Sequence, residues 1–157
     1  MSTSRLFTSH ELRLALHNKF NGSFAGPAIF LNDVYCATTR AWVEKQFTGY
    51  IWNFQQARGQ LVYRKRANQC EHYALRAALE VTDLFRQMPD ASVPAEAESM
   101  AVACVKYQKG AATPAAVWHE VNLWFLEGSW WEWEPQTRKF FTFTEAERLT
   151  AQQFLIL

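Results

Sequence analysis

Val117-Trp118-His119-Glu120-Val121-Asn122-Leu123-Trp124-Phe125-Leu126 is the stretch on which the reading of this chain turns. It is too apolar and too rich in β-branched and aromatic residues for a loop, and with Ala116 it predicts a strand over 116–126. Strand side chains alternate between faces, so Val117, His119, Val121, Leu123 and Phe125 share one side and Trp118, Glu120, Asn122 and Trp124 the other. His119 is thus the polar exception on an apolar face, the face expected to pack on a helix. Glu127-Gly128 then predicts a hairpin turn into a strand over Trp130–Glu134, where Trp130, Glu132 and Glu134 share a side. Lys139–Phe143 and, upstream, Met100–Tyr107 read as further strands.

The first half has a different period. Thr8-Ser9-His10-Glu11 fits a capping box, followed by Leu12, Ala15 and Leu16 at helical spacing. Ile29-Phe30-Leu31 is a short apolar run that could form a strand. Trp42, Val43, Phe47, Tyr50, Ile51 and Phe54 step by three and four after Thr38-Thr39 and stop at Gly59. From Cys70, Tyr73, Ala74, Ala77, Ala78, Val81, Leu84 and Phe85 keep the helical period until Pro89. A Pro/Ala/Ser-rich loop spans 88–98, and Thr144-Glu145-Ala146-Glu147 is a second capping box before a closing helix. Helices first and an antiparallel sheet second predict an α+β fold, with the Cys70 helix packed on a small sheet.

The chain has 157 residues, 49% of them hydrophobic and 15% aromatic, which suits one domain over 1–157 with a substantial core. A net charge of +1 gives no general attraction to nucleic acid or to anionic membranes. Arg64-Lys65-Arg66 is one short basic cluster, read as a solvated turn. No run approaches the roughly 20 apolar residues of a membrane span, and Met1–Phe7 lacks the apolar core of a signal peptide. Cys36, Cys70 and Cys104 form an odd, widely spaced set, which fits reduced thiols and a cytoplasmic location. Cys36 and Cys104 are expected in the core.

Cys70 is different because it opens a helix. A neutral thiol is a poor nucleophile at pH 7, and a helix N-terminus together with a nearby imidazole lowers its pKa. His119 is the candidate imidazole. A carboxylate beside it would hold the ring's tautomer, and the candidates are Glu134, then Glu132, then Asn122, which points away if the strand is regular. Cys70 and His72, with His119 and Glu120, are a conceivable metal set, but no second close-spaced ligand pair exists, so no metal or cofactor is expected. The tryptophans at 118, 124, 130, 131 and 133 are expected mainly to cover the sheet, with a cleft wall as the alternative.

At these residues the chain resembles the papain-like and transglutaminase-like cysteine peptidase superfamily. The blocks are Arg66-Ala67-Asn68-Gln69-Cys70-Glu71-His72-Tyr73-Ala74, His119-Glu120-Val121-Asn122 and Gly128-Ser129-Trp130-Trp131-Glu132-Trp133-Glu134-Pro135-Gln136-Thr137. The Glu-Pro-Gln-Thr form, with Asp33-Val34-Tyr35 upstream, is similar to a small branch that includes the C-terminal protease domain of a fungal agglutinin and phage proteins. The resemblance implies a papain-like core and a thiol protease with Cys70 as nucleophile, His119 as general base and acid, and Glu134 as orienting acid. Asn68, Gln69, Asn122 and Gln136 are the candidates for oxyanion or supporting roles. The usual Gly-Asp before the cysteine is Asn68-Gln69 here, and the family's upstream glutamine is Arg64.

The activity so implied is hydrolysis of an amide in a protein or peptide substrate through a thioester. Deamidation or transamidation by the same triad is the second form. A catalytically inactive fold that binds a peptide or protein is the alternative from another class. A host-directed inhibitor from a phage is a third.

Overall fold

The computed structural model describes residues 6–22, 25–61, 69–87 and 96–157. The chain opens with strand β1 (Leu6–Thr8) and helix α1 (Ser9–Phe20). The capping box forms as the sequence predicts: Glu11 N donates to Thr8 Oγ1 and Thr8 N to Glu11 Oε2, at 3.2 and 2.8 Å. Leu12, Leu16 and Phe20 are buried at a spacing of four. Asn21, in the left-handed region at φ 49°, ends the helix.

Strands β2 (Ala25–Phe30) and β3 (Val34–Cys36) come before the second helical region. That region, predicted as one helix, is three segments: α2 (Arg40–Trp42), a π-helical Val43–Phe47, and α3 (Thr48–Ala57). Val43, Phe47 and Ile51 remain fully buried through it. Gly59, at φ 63°, ends the region, with Gln60 N donating to Gln55 O at 2.8 Å. Helix α4 (Cys70–Gln87) follows. Its buried positions include Ala74, Ala77 and Ala78, whose small side chains let the helix approach the sheet.

The remaining strands are β4 (Ser99–Met100), β5 (Val102–Lys109), β6 (Val117–Leu126), β7 (Ser129–Glu134) and β8 (Lys139–Phe141). Glu127 and Gly128, both at positive φ, make the two-residue turn between β6 and β7. The second capping box forms at Thr144 and opens α5 (Glu145–Arg148), and β9 (Gln152–Ile156) closes the chain.

Two features correct the expected arrangement of N-terminal helices on a small antiparallel sheet. The main sheet has six strands in the order β2-β9-β5-β6-β7-β8, and the β2–β9 pair is parallel, so the sheet is mixed. A separate three-stranded sheet has the order β1-β3-β4. Early strands therefore join late ones, and helices and strands are not segregated along the chain. The pairing of β2 with β9 is a contact between the two ends of the sequence, which local periodicity cannot show.

The six-stranded sheet has a core on each face. Leu12, Leu16 and Phe20 of α1 pack with Tyr107, Val121, Leu123, Phe125 and Trp130 on one. On the other, Val43, Phe47 and Ile51, with Ala74, Ala77 and Val81 of α4, pack with Val102, Cys104, Trp124 and Trp133. No helix among the described residues is long and apolar enough to cross a membrane.

Candidate functional site

The start of α4 is fixed by its own backbone and by β6. Gln69 O accepts from His72 N and Tyr73 N, at 3.0 and 3.2 Å, and Gln69 N donates back to His72 Nδ1 at 3.2 Å. His72 is thus part of the helix start rather than a partner of the sulfur. Asn122, fully buried, donates through Nδ2 to Ala74 O at 2.9 Å and to Ala103 O at 3.3 Å, pinning the first turns of α4 to the sheet. Cys70 is left half-buried at the first position of an 18-residue helix, where unpaired amides favour negative charge.

α4 packs on the face of β6 that carries Asn122 and Trp124, which corrects the expectation that it packs on the His119 face. His119 points to the α1 side, where Tyr107, its register partner on β5, lies edge-on at 5.8 Å between ring centroids. It reaches Cys70 because both lie near the start of their elements.

His119 Nε2 lies 2.5 Å from Glu134 Oε2, with both side chains nearly enclosed. The other carboxylate oxygen, Glu134 Oε1, accepts from Gln136 N at 3.1 Å. Burial alone would lower the His119 pKa. The hydrogen bonds to Cys70 and Glu134, and their charges, outweigh it and push the value up to about 9. At neutral pH the ring is therefore held as an imidazolium beside the Glu134 carboxylate, with the Cys70 sulfur on its other side. The other two cysteines are unlike this one: Cys36 is buried, and burial pushes the Cys104 thiol well up.

The structure thus brings Cys70, His119 and Glu134 together. Gln136 takes part through its backbone N–H and Gln69 through its backbone carbonyl and N–H. Asn122 lies on the opposite face and positions the helix. Glu132 shares a side with Glu134 but is tied to Lys19 at 2.9 Å, away from His119. Asn68, and the Arg64-Lys65-Arg66 cluster, lie outside the described residues. Among the described residues no three His, Cys, Asp or Glu side chains are grouped to hold a metal ion.

Three neighbours of the cluster have contacts that the sequence reading did not give them. Tyr107 packs on His119. Glu71 Oε2 accepts from Cys70 Sγ at 3.3 Å. Glu120 is half-buried, its carboxyl raised first by desolvation and then by the charge of Glu71. The β5–β6 register, which pairs Tyr107 with His119 and Lys106 with Glu120, is the signal that finds two of them.

No family model matches the chain, and no curated protein matches it. Solved structures share its fold, two of them as follows. The chain is similar to Polyporus squamosus lectin bound to the human-type influenza-binding epitope Neu5Acα2-6Galβ1-4GlcNAc, with a TM-score of 0.65 and 18% identity over 96% of this chain and 49% of that one. It is also similar to PSL1a in complex with E64, with a TM-score of 0.62 and 14% identity over 96% of this chain and 51% of that one. The chain spans about half the length of either structure.

These matches correct the assignment drawn from the motif blocks. The two solved structures reported above are of Polyporus squamosus lectin, and no family model matches the chain. Membership of the papain-like/transglutaminase-like superfamily and its agglutinin-protease and phage branch, the papain-like core, and the enzyme class are withdrawn. So are the cysteine peptidase activity and its deamidase, transamidase and inactive peptide-binding variants. A binding partner remains as the coarser statement, and in the lectin structure that partner is a glycan rather than a protein or peptide.

Proposed function

We propose that this chain is a ligand-binding module whose ligand meets the half-buried Cys70 thiol beside His119. The observation that carries the reading is the His119 imidazole held between Glu134 and Cys70. Glu134, fixed by the Gln136 N–H, stabilises the His119 imidazolium. Both structural neighbours were solved with a ligand bound, which supports a binding role for the fold.

The test is the iodoacetamide alkylation rate of each cysteine from pH 5 to 9, read by peptide mass spectrometry in the wild type and in His119→Ala. Cys70 is expected to react faster than Cys36 and Cys104, and to change its rate when His119 is removed. Cys36 and Cys104 are expected to stay silent in the folded protein. A Cys70 that reacts at the same rate in both proteins, or no faster than Cys36 and Cys104, overturns the reading.

A second reading, glycan binding, is favoured by Trp118. Its ring is 48% exposed, Lys106 Nζ lies 5.7 Å from its centroid, and Glu120 follows on the same face after His119. An exposed aromatic face beside charged groups can take the C–H face of a sugar and bind its hydroxyls. Saturation-transfer NMR with Neu5Acα2-6Galβ1-4GlcNAc is expected to show contact that Trp118→Ala removes. No transfer at millimolar glycan would sink this reading.

A further inference from the structure

Beside the turn from β7 to β8 lies a cleft of about 280 Å³, lined by Arg40, Glu44, Thr48, Arg138, Lys139 and Phe140. None of Cys70, His119 and Glu134 lines it. Its walls carry three positive groups against one negative, an excess of two positive charges. Arg40 is answered by Glu44, Nε to Oε1 at 2.8 Å, and its guanidinium lies 4.6 Å from the centroid of the Phe140 ring. Arg138 is half-buried and meets only neutral oxygens: its Nη1 donates to Gln55 Oε1 at 3.3 Å and to Gln136 O at 3.0 Å. Neither Arg138 nor Lys139 has an ion-pair partner among the described residues. A charge taken partly out of water gains from a counter-ion, and a guanidinium already held in place loses little freedom on meeting one. On the same wall, Thr48 Oγ1 is closed off from solvent and has no hydrogen-bond partner among the described residues. A helical threonine populates two χ1 rotamers, so this hydroxyl can turn to a ligand oxygen.

We infer that this cleft binds a phosphate monoester, with Arg138 and Lys139 meeting the phosphoryl oxygens. The inference goes beyond the Cys70 and Trp118 readings and depends on neither. A guanidinium presents its donors in a fork that matches phosphate oxygens, and an ammonium adds a compact charge. A phosphate monoester carries about 1.5 to 2 negative charges at neutral pH, which answers the excess in the cleft. A carboxylate or a sulfate ester carries one and answers half of it. One further charge on the ligand, in a partly enclosed site, changes affinity by a factor on the order of ten. Part of that gain is lost as salt rises, because Lys139 is exposed.

The experiment titrates the full chain with methyl phosphate at pH 8 by isothermal calorimetry, with acetate and methyl sulfate as singly charged probes at matched ionic strength. Methyl phosphate is expected to bind about tenfold or more tightly than either. Lys139→Gln and Arg138→Gln should each weaken it by about tenfold. Thr48→Val should weaken it by a smaller factor, and Lys45→Gln, on the same helical stretch but outside the cleft, should leave it unchanged. Arg138 also braces the turn through Gln136 O, whereas Lys139→Gln alters an exposed side chain and keeps the test clear of misfolding. Titration with glucose 6-phosphate and with N-acetyl-phosphoserine amide then reads the carrier: tighter binding of one assigns a sugar or a peptide. Methyl phosphate that binds no better than methyl sulfate overturns the inference. So does binding that both Lys139→Gln and Arg138→Gln leave intact, or a cleft that takes neither carrier. The alkylation rates of Cys70 test the other reading separately.

Discussion

On the α1 face of the six-stranded sheet, Trp130 donates its indole N–H to Leu12 O at 3.1 Å, and Glu132 meets Lys19. His119 meets Glu134 on the same face. On the α4 face, Trp124 and Trp133 are fully buried, and neither indole N–H has a hydrogen-bond partner among the described residues; the same holds for Asn122 Oδ1. Both faces are dense in aromatic rings, but one pairs its polar groups and the other buries some of them unpaired. A buried unpaired donor costs on the order of 1–3 kcal/mol, so the α4 face must recover that through packing. Trp124 and Trp133 do so by contacting each other at 84° and each contacting Phe47. The α4 face therefore acts as the mechanical anchor that seats the Cys70 helix, and the α1 face carries the paired charges.

The largest expected effect breaks that anchor. Trp133→Ala should cost about 4 kcal/mol, because the site is closed on all sides and cannot collapse around the lost ring. Chemical denaturation followed by circular dichroism would measure it. Seating of α4 depends on this packing and on Asn122, so Cys70 should also lose its distinct alkylation profile under conditions where the variant is still folded. A loss below about 1 kcal/mol would mean that the α4 face is not the anchor.

The next effect belongs to the α1 face alone. The folded His119 pKa lies above its ordinary value, so the folded state binds the proton more tightly than the unfolded one does. The stabilisation is therefore complete below about pH 6.5 and is lost as pH rises through about 9. Its size should be on the order of 2 kcal/mol. Denaturation midpoints measured from pH 6 to 10 should fall for the wild type more than for His119→Gln. Parallel pH profiles would show that the imidazolium makes no net contribution to folding.

How far the sequence announced these two faces can be followed residue by residue. Alternation along 117–126 placed His119 apart from Asn122, and the shared side of Glu132 and Glu134 limited the acidic partners to those two. The same alternation pointed the Cys70 helix at the more apolar His119 side, whereas the helix packs on the Asn122 and Trp124 side. Burying Asn122 against Ala74 O looks costly from sequence and is allowed only because the helix backbone supplies an acceptor. Strand β9 was missed because Phe154-Leu155-Ile156 is too short to separate from a helix end without its partners. Those partners are β5 and, far away in sequence, β2. The motif blocks located the Cys70, His119 and Glu134 cluster, but they also suggested a family that no family model supports, while the solved structures reported above are of a lectin.

The finest test of the comparison uses one substitution on each face. Trp130→Phe and Trp133→Phe remove the same atoms from rings that are both nearly or fully enclosed, so the cavity costs are alike. They differ in the N–H. At Trp130 the substitution deletes a hydrogen bond to Leu12 O, and at Trp133 it deletes a buried donor that no described residue accepts. The Trp130 variant should therefore be the less stable of the two, by about 1 kcal/mol. Urea denaturation of both proteins in one buffer reads that difference directly, and the shared cavity cost cancels. Equal losses would mean that the Trp133 N–H is satisfied in solution, and the two faces would then differ only in charge.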